Sequence, residues 1–261
     1  MSVIGIFDSG IGGLTVAAGL KNLVPNIKIV FFGDTINLPY GEKNNEQIIA
    51  YTKKAIDFFL EKQCKLILIA CNTASVAAYP IAKKYVGKKA KLFNVVDPVV
   101  DFVEKNFPNN KIGLIGTSLT IHSAVYEQKF LDKKSKINLQ SLATPEFASM
   151  IEYGFYKDQL DYKLIHQYLH HPKFEKIDTL ILACTHYSLI KNYVAQCFDY
   201  QVEIVDSSQI MAEYVRQYLG IQDNTDIKPT DEFYVSKISE SFEQTVKLLF
   251  EKNISVSFLS F

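Results

Sequence analysis

The sequence predicts an α/β protein with mostly parallel sheets arranged as two similar lobes, and three observations carry that expectation. Short apolar runs rich in β-branched residues alternate with stretches of helical periodicity along the whole chain. Most of these runs are continuously apolar, as strands of a parallel sheet covered on both faces must be. The chain also repeats itself. Ile4-Gly5-Ile6-Phe7-Asp8-Ser9 returns 108 residues later as Ile112-Gly113-Leu114-Ile115-Gly116-Thr117, and Ala70-Cys71-Asn72-Thr73 returns 113 residues later as Ala183-Cys184-Thr185. Two such units facing each other would enclose a pseudo-two-fold cleft, suited to a reaction that approaches one carbon from both sides.

Taken in order, strands are expected at 3–7, 28–32, 66–70, 92–96, 112–115, 179–183 and 202–205. A helix is expected over 46–61, where Ile48, Thr52, Ala55 and Phe59 share one face. Another starts at Ala74, just past Cys71, and a third over 207–219 returns the chain to the first lobe. That lobe takes residues 1–97 and 209–261, the second lobe 98–208. No linker or charge block marks either junction, so the boundary must be structural.

Length and composition bound the function. A chain of 261 residues accommodates two small cores, and 48% hydrophobic with 21% charged residues is ordinary for a globular protein. Acidic and basic residues balance at 28 each, leaving no electrostatic footprint for nucleic acid or an anionic membrane. No apolar stretch has the length of a membrane span, and residues 1–7 lack a basic n-region before Asp8 interrupts them. No signal peptide is therefore expected. Four cysteines do not make a secreted disulfide framework, which points to reduced thiols in the cytoplasm. Arg216 is the only arginine, so a carboxylate ligand would have to be gripped largely by other groups.

Ligands of open α/β sheets bind beyond the carboxyl ends of the strands. Cys71 and Cys184 both follow apolar strands and precede small hydroxyl residues, in matching places of the duplicated unit. A thiol at a helix N-terminus can have its pKa lowered below about 8.5 by the positive end of the dipole. Asp8 ends an apolar strand, where a carboxylate is costly unless paired or hydrogen-bonded. Gly10, Gly12 and Gly13 could form an anion-binding nest of backbone N–H groups, but the dinucleotide and phosphate-loop spacings are both absent. His186 stands two residues from Cys184, whereas His122, His166, His170 and His171 read as surface or cap residues. Cys64 and Cys197 have no such setting and read as filler.

The stretches FDSGIGGLTV (7–16), GDTINLPYG (33–41), CNTAS (71–75), GTSLT (116–120) and CTHY (184–187) together resemble the cofactor-independent aspartate/glutamate racemase family. The resemblance implies two flavodoxin-like lobes, no cofactor or metal, and a homodimer. It implies that Cys71 and Cys184 work as acid and base on opposite faces of the substrate, assisted by Asp8 and His186 respectively. Ser9, Tyr40, Gly41, Asn72, Thr73, Thr117, Thr120 and Thr185 would hold the amino acid together with Asp8 and His186, and Glu152 would sit near its ammonium. CTHY carries His186 where aspartate racemases usually have an acid, which implies glutamate as substrate and D-glutamate for peptidoglycan as product. The sequence departs from commoner forms at Ile36-Asn37-Leu38, at Asp97-Pro98 and at Ser188, where proline is usual.

Racemisation removes a proton from one face and returns one to the other, so two groups must flank the α-carbon. No pyridoxal-lysine motif provides an electron sink, so fixed donors around the α-carboxylate must stabilise the developing charge. Backbone N–H groups of Ser9, Asn72, Thr73 and Thr185 are the expected donors. Three alternatives remain: the same mechanism on aspartate or another small amino acid, a metal site built from Cys71, Cys184 and His186, and a non-catalytic amino-acid-binding module.

Overall fold

The computed structural model describes residues 3–220, 229–250 and 254–260; parts of the expected first-lobe tail (221–228, 251–253 and 261), with residues 1–2, lie outside the described residues. The strands are β1 (Val3–Asp8), β2 (Lys28–Gly33), β3 (Leu66–Ile69), β4 (Lys91–Asn94), β5 (Lys111–Gly116), β6 (Asn138–Ala143), β7 (Thr179–Ala183), β8 (Glu203–Asp206), β9 (Glu232–Val235) and β10 (Val256–Phe258). Between β1 and β5 lie α1 (Gly13–Leu23), α2 (Asn45–Glu61), α3 (Asn72–Val86) and α4 (Val96–Asn106). The second half carries α5 (Ser118–His122), α6 (Val125–Asp132), α7 (Pro145–Gly154), α8 (Tyr162–Leu169) and α9 (Lys191–Cys197). Finally, α10 (Ser207–Leu219) and α11 (Glu240–Leu249) return to the first half.

Two sheets result, and every pairing in them is parallel. One has the order β10-β9-β2-β1-β3-β4, the other β6-β5-β7-β8. The repeat seen in the sequence is therefore a repeat of topology: β2-β1-β3-β4 and β6-β5-β7-β8 have the same order, and β9 and β10 extend only the first. The central strands are buried throughout, Leu66-Ile67-Leu68-Ile69 in β3 and Thr179-Leu180-Ile181-Leu182-Ala183 in β7.

The expected helix over 46–61 is α2, started by a capping box in which Asn44 and Gln47 exchange side-chain-to-backbone bonds. Its buried face carries Ile48, Thr52, Ala55 and Phe59, the four residues the periodicity placed there. The strand expected over 92–96 ends instead at Asn94. Asn94 Oδ1 accepts from both Val96 N and Asp97 N at 2.9 Å, which turns the chain directly into α4.

The chain crosses to the second sheet through α4 and returns through α10. Apolar residues of both sheets, among them Ile4, Ile6, Leu114 and Ile181, pack with α1, α4 and α10 in one continuous core. Separate clusters fill the far face of each lobe. The shared core holds the carboxyl ends of the two sheets toward each other.

Candidate active site

At that junction the two thiols occupy different surroundings. Cys71 is the N-cap of α3, which begins at Asn72, two residues earlier than the sequence suggests. Its Sγ accepts from Ala74 N at 3.5 Å and lies 3.7 Å from Ser9 Oγ. The lowered pKa expected from a helix N-terminus does not follow. Burial, with the charge of Asp8 beside it, pushes the Cys71 thiol up to about 12, outweighing the Ala74 N–H and the Ser9 hydroxyl. A single N–H and a helix end cannot replace the water that a thiolate loses.

Cys184 follows β7 but does not open an α-helix. The chain runs into a 3₁₀ segment, Thr185–Ile190, before α9. The partner of its Sγ is His186 Nδ1, at 3.8 Å, and the other ring nitrogen, Nε2, lies 2.7 Å from Glu152 Oε2. Burial works against a charged His186, yet Cys184 and Glu152 together hold it well above its ordinary pKa. Glu152, expected beside a substrate ammonium, thus orients the imidazole that faces Cys184. Among the described residues, no three His, Cys, Asp or Glu side chains gather as a metal site requires, so Cys71, Cys184 and His186 do not form one.

Asp8 is fully buried. Its Oδ1 accepts from Gly10 N and its Oδ2 from Thr185 Oγ1, each at 3.0 Å, the second bond crossing between lobes. Burial raises its pKa to about 6 against the opposing pull of His186. Glu152 Oε2 also accepts from Ile11 N at 2.9 Å. In the glycine-rich turn, which could form an anion nest from Gly10, Gly12 and Gly13, the Gly10 N–H goes to Asp8 and the neighbouring Ile11 N–H to Glu152. A Cβ on Gly12 would fall 2.6 Å from His186 N and 2.7 Å from its Nδ1, so only glycine lets this turn press against the second lobe.

Three threonines join the lobes on the other side. Thr73 Oγ1 lies 2.9 Å from Thr117 Oγ1, which donates to Thr120 Oγ1 at 3.0 Å. The Tyr40 hydroxyl donates to Asp34 Oδ2 at 2.7 Å and is thereby turned toward Asp34. Asn72 Oδ1 accepts from the Tyr126 hydroxyl at 2.7 Å.

The cleft is lined by Cys71 and Cys184 with Ser9, Tyr40, Gly41, Asn72, Thr73, Thr117, Thr185 and His186, while Asp8, Thr120 and Glu152 stand behind this lining. Leu38, Pro39, Glu42, Ser118, Pro145 and Ala148 line it too. Pro39 and Ser118 lie inside the motif stretches and could have been found there; Pro145 and Ala148 sit on α7 and carry no local signal. Among the described residues, no lysine or arginine reaches the lining. The space open to water is about 30 Å³, room for little more than one molecule, so the lobes stand closed. Cys64 is buried in the first lobe's core, Cys197 ends α9, and His166 and His170 stack on each other away from the cleft.

The model of the Asp/Glu/Hydantoin racemase family matches residues 16–215. A glutamate racemase of Caldanaerobacter subterraneus subsp. tengcongensis is 36% identical over 97% of this chain and 92% of its own length. Among solved structures, glutamate racemase from Francisella tularensis in complex with D-glutamate superposes with a TM-score of 0.86 at 32% identity, covering 99% of this chain and 97% of that one. A glutamate racemase from Bacillus anthracis gives 0.89 at 30% identity, with the same coverage.

Proposed function

The chain belongs to the Asp/Glu/Hydantoin racemase family and is an isomerase of glutamate, and we propose that Cys71 and Cys184 exchange the α-proton from opposite faces. One observation carries this reading. Two thiols from matching strand ends of a duplicated unit line the same cleft, and each has its own polar neighbours.

In this mechanism one cysteine enters as thiolate and the other as thiol. With D-glutamate, Cys71 takes the α-proton and Cys184 delivers its own to the opposite face; with L-glutamate the roles reverse. The proton count is unchanged, and the enzyme returns to rest by moving one proton between the two sulfurs. A Cys71 thiol raised to about 12 needs positive charge nearby to act as a base, and the substrate's α-ammonium, seated toward Asp8, brings it. Glu152 holds the His186 ring against Cys184, so that an imidazolium can stabilise that thiolate. Charge that develops on the α-carboxylate meets neutral donors from Ser9, Asn72, Thr73 and Thr185, which fits a cleft that, among the described residues, is lined by neither lysine nor arginine. The reading extends to a homodimer that supplies D-glutamate for peptidoglycan.

Circular dichroism of L- and D-glutamate, incubated separately with the protein in reducing buffer without added cofactor, tests the reading. Both signals should decay toward zero. Cys71→Ser and Cys184→Ser should each slow the decay by about a hundredfold or more. Near wild-type turnover in either variant would sink the two-thiol mechanism, and decay of aspartate alone would move the substrate.

A further inference from the structure

Tyr126, on α6 of the second lobe, is wholly buried yet ends in a hydroxyl, and nothing in the mechanism above uses it. That hydroxyl donates to Asn72 Oδ1 at 2.7 Å. The other end of the same amide, Nδ2, faces Ser207 Oγ at 3.4 Å, at the first residue of the returning helix α10. Asn72 itself follows Cys71 and lines the cleft. It is therefore bracketed by one group from the second lobe and one from the crossover.

An amide can offer a ligand either its carbonyl oxygen or its N–H groups, and the two ends are nearly the same size. Its partners decide which is offered. A buried phenol must place its proton on an acceptor, and here Asn72 Oδ1 receives it. The flipped amide would set two N–H donors against the phenolic O–H. Burial and the surrounding negative groups raise the Tyr126 pKa, so the phenol remains a donor at any working pH.

We propose that Tyr126 is a positioning residue that fixes the Asn72 amide with an N–H free for the cleft, so that Asn72 donates to the substrate's α-carboxylate. This inference rests on the glutamate reading above and adds a residue and a polarity to it. Because charge on that carboxylate grows as the α-proton leaves, a misoriented amide should lower kcat more than it raises KM.

A double-mutant cycle read with kcat and KM tests it. Tyr126→Phe keeps the ring and removes only the hydroxyl; it should lower kcat/KM about tenfold, mainly through kcat, with a melting temperature close to wild type. Asn72→Ala should lower it further. In the Asn72→Ala background, Tyr126→Phe should change kcat/KM less than about twofold, because its target is gone. Wild-type kcat/KM in Tyr126→Phe, or its full loss repeated in the Asn72→Ala background, overturns the proposal. If Tyr126→Phe fails to fold, Asn72→Asp decides: it keeps an acceptor for Tyr126 but has no N–H, so wild-type activity there overturns the proposal and a loss like that of Asn72→Ala supports it. Wild-type protein in the same assay separates the two levels, since an inert wild type would sink the glutamate reading itself.

Discussion

A carboxylate as deeply buried as Asp8 is held in the fold at a cost, and that cost has a sign. Its pKa is raised from 3.8 to about 6, so the folded protein binds this proton more tightly than the unfolded chain does. The resulting stability is fully present below pH 3.8 and is lost as pH rises through about 6, where the charged form costs about 3 kcal/mol. Asp8→Asn should therefore melt at a higher temperature than wild type at pH 8, and the gap should close as pH falls to about 4. Its glutamate turnover should be strongly reduced at every pH. A melting-temperature gap that is equal at pH 4 and pH 8 would show that burial does not raise the Asp8 pKa in this way. Stability given up at a site is what chemistry on a buried proton demands.

The junction between β4 and α4 shows how one side chain sets an element boundary. Val95 and Val96 are as apolar as the strand before them, so composition alone extends the strand to residue 96. Asn94 overrides it by taking the first two free N–H groups of the helix on one oxygen. Asn94→Ala should lower stability by about 1–2 kcal/mol, read as a lower urea midpoint with an unchanged slope. An unmoved midpoint would mean that Asp97 and the helix hold this turn without it. The strands that the sequence did not announce have a related explanation. β6 is half-exposed, mixes Asn138, Gln140 and Ser141 with leucines and forms an edge of the second sheet, while β9 and β10 are short and close one side of the first, with β10 at its edge. Edge strands need little apolar continuity because one side is unpaired and often wet.

At the scale of the whole molecule, the closed cleft makes lobe opening a condition of turnover. About 30 Å³ cannot receive the ten non-hydrogen atoms of glutamate, and Cys71 and Cys184 are only 5% and 6% exposed. Alkylation with iodoacetamide, followed by peptide mass spectrometry, should therefore label half-exposed Cys197 first. Cys71 and Cys184 should follow at the slower rate of opening, and saturating D-glutamate should slow those two while leaving Cys197 unchanged. Equal rates at all three sites, without protection, would show that the lobes stand open in solution.

The sequence by itself determined the α/β class, the duplication, α2 with its buried face, and the placement of two cysteines at matching strand ends. These are local or periodic properties: apolar runs set the strands, and a polar residue after an apolar run marks a strand end. The tertiary structure alone decided that Glu152 pairs with His186, that Asp8 reaches Thr185, that Tyr126 holds Asn72, and that Cys71 is a high-pKa thiol. Glu152 and His186 are separated by 34 residues, Asp8 and Thr185 by 177, and Tyr126 and Asn72 by 54. No spacing rule reaches across such distances. A pKa, moreover, follows from how much water the fold removes around a group, and only the packed lobes set that.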